Sequence, residues 1–233
     1  MLTTIARSYL TVATPIILVL LSVRLVMSPL FLHFEYNRPG FPDDPFGLTR
    51  EQRLTFAPYA LDYLIYNEPL DYLADLRFED DSVLFNEREL RHMADVQVVT
   101  QIAFILLGIL SITAILAGVY LWRTDRNRLR FGLLQGAVFT LAIIASIIIV
   151  AILSWDFFFV AFHTLFFESG TWYFAYSDTL IRLFPEQFWF DAAIIIGGLS
   201  TASALFMLSV TWWWGRSALT ARGADDTLSM AEG

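Results

Sequence analysis

From Phe131 to Phe167 the chain carries a single charged residue, Asp156. This run of about 37 residues is too long for one bilayer crossing, which takes roughly 20. It reads as a membrane helix over about 131–153, a break at Ser154-Trp155-Asp156, and a second apolar piece at the interface. Three further apolar runs reach spanning length, over about 10–32, 98–122 and 188–214. The fold class expected is therefore an all-α membrane protein with four transmembrane helices in one membrane-embedded domain, residues 1–233. A mainly helical or irregular segment separates the first two spans, and interfacial helices lie between the last two. The composition agrees, at 57% hydrophobic residues with a mean hydropathy of +0.58. The first run is read as a retained helix, because no small-residue cleavage site follows it. Arg24, inside that run, is expected to snorkel towards lipid headgroups.

The absence of cysteine rules out disulfides, thiolate metal ligands and a cysteine nucleophile. The absence of lysine rules out Schiff-base chemistry. Between the second and third spans lies Arg123 to Arg130, RTDRNRLR, with four arginines and one aspartate. Short basic loops stay in the cytoplasm. This puts loop 123–130 and tail 215–233 inside, with both termini, and segments 33–97 and 155–187 outside. Residues 33–95 hold fourteen Asp/Glu against six Arg. The tail is expected to be disordered.

Local signals fill in the outer segments. Thr49 and Gln52 form a capping box opening a helix over 50–66, kinked at Pro58, with Leu54, Leu61, Leu64 and Ile65 on its apolar face. Residues 67–82 read as irregular. Asn86 and Glu89 form a second capping box, and the helix it opens has no breaker before Arg123. Ser177 is placed to cap a short helix through Phe184, and Pro185 to open the next.

His92 falls six residues before the apolar run at Val98, roughly 9 Å above it at 1.5 Å per residue. His163 lies on the same side of the membrane in the piece after the third span. Glu89, His92 and Asp95 share one helical stripe, and Asp156 shares a stripe with His163. Asp178 and Arg182 are four apart. Each residue has a plainer reading: Glu89 as a cap, Asp95 as a boundary residue, Asp178 with Arg182 as a helix-surface ion pair, and His33 as an interfacial residue. Two histidines on one side, each with a carboxylate on its own face, point beyond that. An imidazole takes and returns a proton near neutral pH. The residues also permit a metal-dependent lipid hydrolase built on Glu89, His92, Asp95 and His163, or a non-enzymatic docking protein using the acidic outer segment.

The motif RExxHMxDV at Arg88–Val96, then FHTLFF at Phe162–Phe167, Trp172, and SDTLIRLFPEQFW at Ser177–Trp189, resembles the signatures of the lipoprotein intramolecular transacylase (Lit) family. These are bacterial four-span integral membrane proteins. Glu35-Tyr36 and the DPFGLTREQ stretch at Asp44–Gln52 fit as well, so the likeness covers nearly the whole chain. It implies an enzyme that moves the sn-2 acyl chain of a diacylglyceryl-cysteine onto that cysteine's own α-amine, giving a lyso-form lipoprotein. It implies no cofactor and no metal. The partners are a diacylated lipoprotein and membrane lipid, not nucleic acid, and the site is at the outer leaflet of the cytoplasmic membrane. The essential histidines then fall on His92 and His163. Glu89, Asp95 and Asp156 are expected to orient them, Arg182 to bind or polarise the ester, and Trp172 and Asp178 to support the substrate.

Overall fold

The computed structural model describes residues 1–168 and 170–231, and from residue 217 onward the backbone alone. Among the described residues the chain forms nine helices: α1 (Leu2–Val26), α2 (Pro29–Asn37), α3 (Arg50–Tyr66), α4 (Asp71–Ala74), α5 (Glu87–Thr124), α6 (Arg126–Leu153), α7 (Trp155–Phe166), α8 (Thr179–Leu183) and α9 (Glu186–Ala231). The one extended pairing among them is an isolated bridge between Arg77 and Val83. Four helices are long and apolar enough to cross a membrane: Leu2–Val26, Glu87–Thr124, Arg126–Leu153 and Glu186–Arg216. The protein is a multi-pass membrane protein.

Helix α5, with 38 residues, is about 57 Å long at 1.5 Å per residue. That is nearly twice the roughly 30 Å of a hydrocarbon core. Glu87, Arg88, Glu89, Arg91, His92 and Asp95 all fall in its first three turns, whereas 98–122 holds no charge. The part that suits hydrocarbon is the latter, and His92 stands ahead of it.

Several boundaries differ from the sequence expectation. The first span does not run to residue 32. It starts at Leu2 and stops at Val26, because Ser28 accepts a hydrogen bond from the Phe31 amide and Pro29 opens α2. The expected loop 123–130 shrinks to one residue, Asp125, whose carboxylate caps the Arg128 amide at 3.0 Å. The irregular stretch 67–82 contains α4. The short helix before α9 begins at Thr179, with Asp178 rather than Ser177 at its N-cap position. The tail expected to be disordered continues α9 to Ala231; it holds no proline and many good helix formers. The break at Ser154 and the bounds of α3 are as expected, and the Ser154 hydroxyl caps α7.

The chain divides into two compact units. One comprises Met1–Leu21, Leu107–Ile148 and Gly197–Gly233, and has a core of Leu10, Leu121 and Leu129. Its helices approach closely at Gly136, where an added Cβ would lie 2.7 Å from Thr14. The other comprises Ser22–Leu106 and Ile149–Ile196, and is built round Phe31, Tyr36, Leu73, Leu84, Met93, Leu183 and Phe188. In this second unit α3 ends against α5. Gln97 donates to the Tyr63 and Glu68 carbonyls at 2.8 and 2.9 Å, and Gln101 to the Leu64 carbonyl at 2.6 Å. The Tyr63 and Leu64 carbonyls belong to the last turn of α3, which cannot bond them itself, and Glu68 lies just beyond it. The buried face of α3 is Arg53, Ala57, Ala60, Leu61 and Tyr63, so an arginine lies where the apolar pattern placed leucines. Arg53 donates to the Pro42 and Arg182 carbonyls at 2.7 and 2.9 Å.

Candidate active site

The site lies within the second unit, where α5, α7 and the loop before α8 present their aromatic side chains to one another. Its framework begins at the N-terminus of α5. Asn86 Oδ1 accepts from the Arg88 and Glu89 amides at 3.0 and 3.1 Å, and Glu89 Oε2 accepts from the Asn86 amide at 2.7 Å. The capping box is formed. Glu89 does more than cap: its other oxygen accepts from the Leu180 amide at 2.6 Å. A carboxylate only 1% exposed thus joins the start of α5 to the start of α8. Burial pushes its pKa up, and the two backbone N–H donors oppose that.

Asp178 anchors the intervening loop. It accepts from Arg88 at 2.6 Å, from the Asn86 amide group at 3.2 Å and from the Ala175 backbone at 2.8 Å. The expected Asp178–Arg182 pair does not form. Arg182 donates instead to Asp44 at 3.0 Å and to the Phe46 carbonyl at 3.2 Å. Its guanidinium, offered by the sequence as an ester-binding group, is thereby held in the framework. The geometric reason is a side chain on the segment 43–48, which no spacing within 177–189 could reveal.

The loop so fixed carries Trp172 and Phe174 against the histidines. His92 is 7% exposed. Its ring meets Phe167 and Phe174 edge-on at 5.1 and 5.2 Å. His163 is half-buried; its ring lies 4.1 Å from Phe159 and 4.8 Å from Trp172. The two imidazoles lie 6.3 Å apart with planes only 21° from parallel. His163 Nδ1 contacts the Phe159 carbonyl oxygen at 2.8 Å. A carbonyl only accepts, so Nδ1 carries the proton and Nε2 of the neutral ring is the basic nitrogen. His92 Nδ1 is buried with no partner.

Burial lowers the pKa of His92 to about 4, with a smaller contribution from neighbouring His163. Burial also lowers that of His163, opposed by its bond to Phe159. Both rings are neutral at pH 7, the form in which an imidazole can accept a proton.

The carboxylates expected to orient the histidines do not do so. Both Glu89 oxygens are taken by backbone amides, while Asp95 and Asp156 are exposed and bond to neither ring. The orienting group found is the Phe159 carbonyl, one turn before His163, which sequence cannot signal because every residue has one. A metal-binding reading needs Glu89, His92, Asp95 and His163 to converge. Among the described residues no group of three or more His, Cys, Asp or Glu is placed to hold a metal ion.

A family model described as lipoprotein intramolecular transacylase Lit matches residues 8–189. The chain belongs to the Lit family. An uncharacterized protein of Aquifex aeolicus (strain VF5) is 31% identical over 215 residues, covering 92% of this chain and 96% of that protein. The in meso structure of the membrane integral lipoprotein intramolecular transacylase Lit from Bacillus cereus superposes with a TM-score of 0.80 at 17% identity. It covers 94% of this chain and 98% of that one. A structure of the Bacillus cereus protein with one histidine changed to arginine gives a TM-score of 0.70 at 20% identity, covering 94% and 93%. These likenesses show a shared fold. In this Lit chain Phe167 and Phe174 complete the wall around His92. Phe167 ends one of the signature motifs, whereas Phe174 had no sequence signal beyond its aromatic neighbours.

Proposed function

We propose that the protein moves the sn-2 acyl chain of a diacylglyceryl-cysteine onto that residue's own α-amine, with His92 and His163 as the acid–base pair. The amine nitrogen attacks the ester carbonyl carbon to form a C–N bond. One imidazole takes the proton released from nitrogen. The C–O bond to glycerol then breaks, the glycerol oxygen takes up a proton, and an amide and a free sn-2 hydroxyl result. No enzyme nucleophile is needed, in keeping with the lack of cysteine. Amine and ester belong to one molecule, so the protein's task is to hold a near-attack geometry.

The observation that carries this reading is the pair of near-parallel imidazoles packed among aromatic rings, one with its tautomer set by a backbone carbonyl. As the reaction proceeds, negative charge on the substrate beside an imidazole favours its protonated form. A base whose pKa burial holds low therefore strengthens as that charge develops. The reading places the site at the outer face of the bacterial cytoplasmic membrane, with both termini inside, supported by the four arginines of 123–130.

The test is reconstitution of the purified protein with a synthetic diacylglyceryl-cysteine lipopeptide. Substrate and product are isomers, so fragmentation in tandem mass spectrometry must locate the acyl chain on nitrogen. His92→Gln and His163→Gln are each expected to slow the reaction by at least about 10²-fold. Near wild-type rates in both variants would sink the acid–base assignment.

A further inference from the structure

Five buried side-chain atoms among the described residues have no hydrogen-bond partner: Arg7 Nε, Glu35 Oε2, His92 Nδ1, Trp155 Nε1 and Trp172 Nε1. Native interiors rarely leave such atoms unmatched, and each one calls for a reason. Two of the five, on His92 and Trp172, belong to rings that both contact His163. Two of the unmatched groups thus lie where the chemistry is placed.

The chemical character of the pair is informative. An indole N–H can only donate. A neutral His92 with its proton on Nε2 presents Nδ1 as an acceptor. In that tautomer the two unmatched buried atoms are one acceptor and one donor. A diacylglyceryl-cysteine brings both, an ester carbonyl oxygen and an amine N–H. His163 Nδ1 and the arginines that frame the site are already engaged. His163 Nδ1 is on the Phe159 carbonyl, Arg88 is on Asp178, Arg182 is on Asp44 and the Phe46 carbonyl, and Arg53 is on two backbone carbonyls. Trp172, 6% exposed, is the buried donor left over that lies against His163.

We propose that Trp172 is a catalytic residue whose Nε1–H donates to the sn-2 ester carbonyl oxygen and to the oxyanion it becomes, while His92 Nδ1 receives the amine proton. This rests on the transacylase reading and assigns the one role in that reaction which the two histidines leave open. Ester aminolysis passes through a tetrahedral oxyanion, and a fixed donor in a water-poor, aromatic site is well suited to stabilise it. Trp172 and His92 both lie against His163, with ring centroids 4.8 Å and 6.3 Å from it, so the shared neighbour holds donor and base in fixed relation. Trp155 supplies the comparison. Its N–H is also unmatched, but its ring meets Phe158, Phe159 and Phe190 and no histidine.

The decisive experiment replaces Trp172 with 3-benzothienylalanine, which keeps the bicyclic ring and loses the N–H, in the full-length protein acting on the synthetic lipopeptide. The expected result is a fall in kcat on the order of 10²-fold with KM little changed. Trp172→Phe is expected to lose at least as much. The same replacement at Trp155 is expected to leave kcat within about twofold, since its N–H makes no transition-state bond. Wild-type kcat in the Trp172 isostere, alongside inactive His92→Gln, would overturn the Trp172 assignment and leave the transacylase reading standing. Loss in Trp172→Phe without loss in the isostere would also overturn it, since ring shape would then suffice. A rise in KM alone would overturn the oxyanion role. Activity retained in both histidine variants would remove the reading itself.

Discussion

The two compact units differ in how they handle buried charge. In the unit made of Met1–Leu21, Leu107–Ile148 and Gly197–Gly233, most serine and threonine hydroxyls bond back into their own helices, and the links between helices, such as Tyr9 to the Leu110 carbonyl and Arg130 to the Thr211 carbonyl, involve no buried carboxylate. Thr14 donates to the Leu10 carbonyl, Thr140 to Gly136, Ser146 to Ala142 and Thr211 to Met207, at 2.7 to 2.9 Å. This suits segments passing through lipid, where no water is available to satisfy a backbone or side-chain group. The other unit buries Glu35, Arg53, Glu89 and His92 and links elements remote in sequence through them. Arg38 joins Glu35 to Asp191, and Glu89 joins Asn86 to Leu180. A helix that satisfies itself can be moved or replaced with little consequence for its neighbours. A network that crosses the chain fixes a loop in one place, and the unit that has such a network also has the imidazole pair.

The largest effect on stability should follow from breaking that network. Glu89→Ala leaves the Asn86 and Leu180 amides without their acceptor, a loss of about 3 kcal/mol if each buried donor counts for 1–3. Glu89→Gln, which keeps one carbonyl oxygen, should lose about half as much. Thermal unfolding in detergent measures both. Equal stability of all three proteins would show that the α5–α8 connection is incidental. In the lipid-suited unit the sensitive point is packing instead. Gly136→Ala places a Cβ 2.7 Å from Thr14, and overpacking of that kind is worth roughly 1–3 kcal/mol. The better helix propensity of alanine returns up to about 1. A net fall of about 1 kcal/mol is expected, with transacylation by folded protein unchanged. Activity lost in Gly136→Ala at full stability would mean that the two units are less distinct in function than in their bonding.

The same contrast explains what could be seen from sequence. Four spans, the break at Ser154, α3 and both capping boxes were legible, because each depends on local period, length or a side chain three residues from its partner. His92 and His163 stood out as polar residues beside hydrocarbon. What failed was long-range. Spacing paired Asp178 with Arg182, but the fold gives Asp178 to Arg88 and Arg182 to Asp44. Asp95 and Asp156 share helical stripes with the histidines yet remain exposed. A stripe shared over one or two turns does not decide which side chain turns inward. The first span ended early because Ser28-Pro29, a strong helix-start signal, sits inside an unbroken apolar run.

The smallest expected effect is a feature that should be missing from a pH profile. Attack requires the neutral amine, and an α-amino group ionises at about 7.7–8.0. The rate constant kcat/KM should therefore rise tenfold per pH unit up to that range. A histidine with an ordinary pKa of about 6.5 would add a second proton below that value, and the slope would steepen from one to two. Burial has lowered His92 to about 4 and His163 in the same direction. A depressed pKa means that the neutral, proton-accepting form persists as pH falls, so the slope should stay at one through 6.5, and protonation of His92 should steepen it only towards 4. The profile thus reports whether the pocket is as dry as its aromatic walls imply. A break near 6.5 that disappears in His92→Gln, with residual activity, would mean that water reaches this ring freely. The polar unit would then differ from the lipid-suited one in its bonding but not in its exclusion of water.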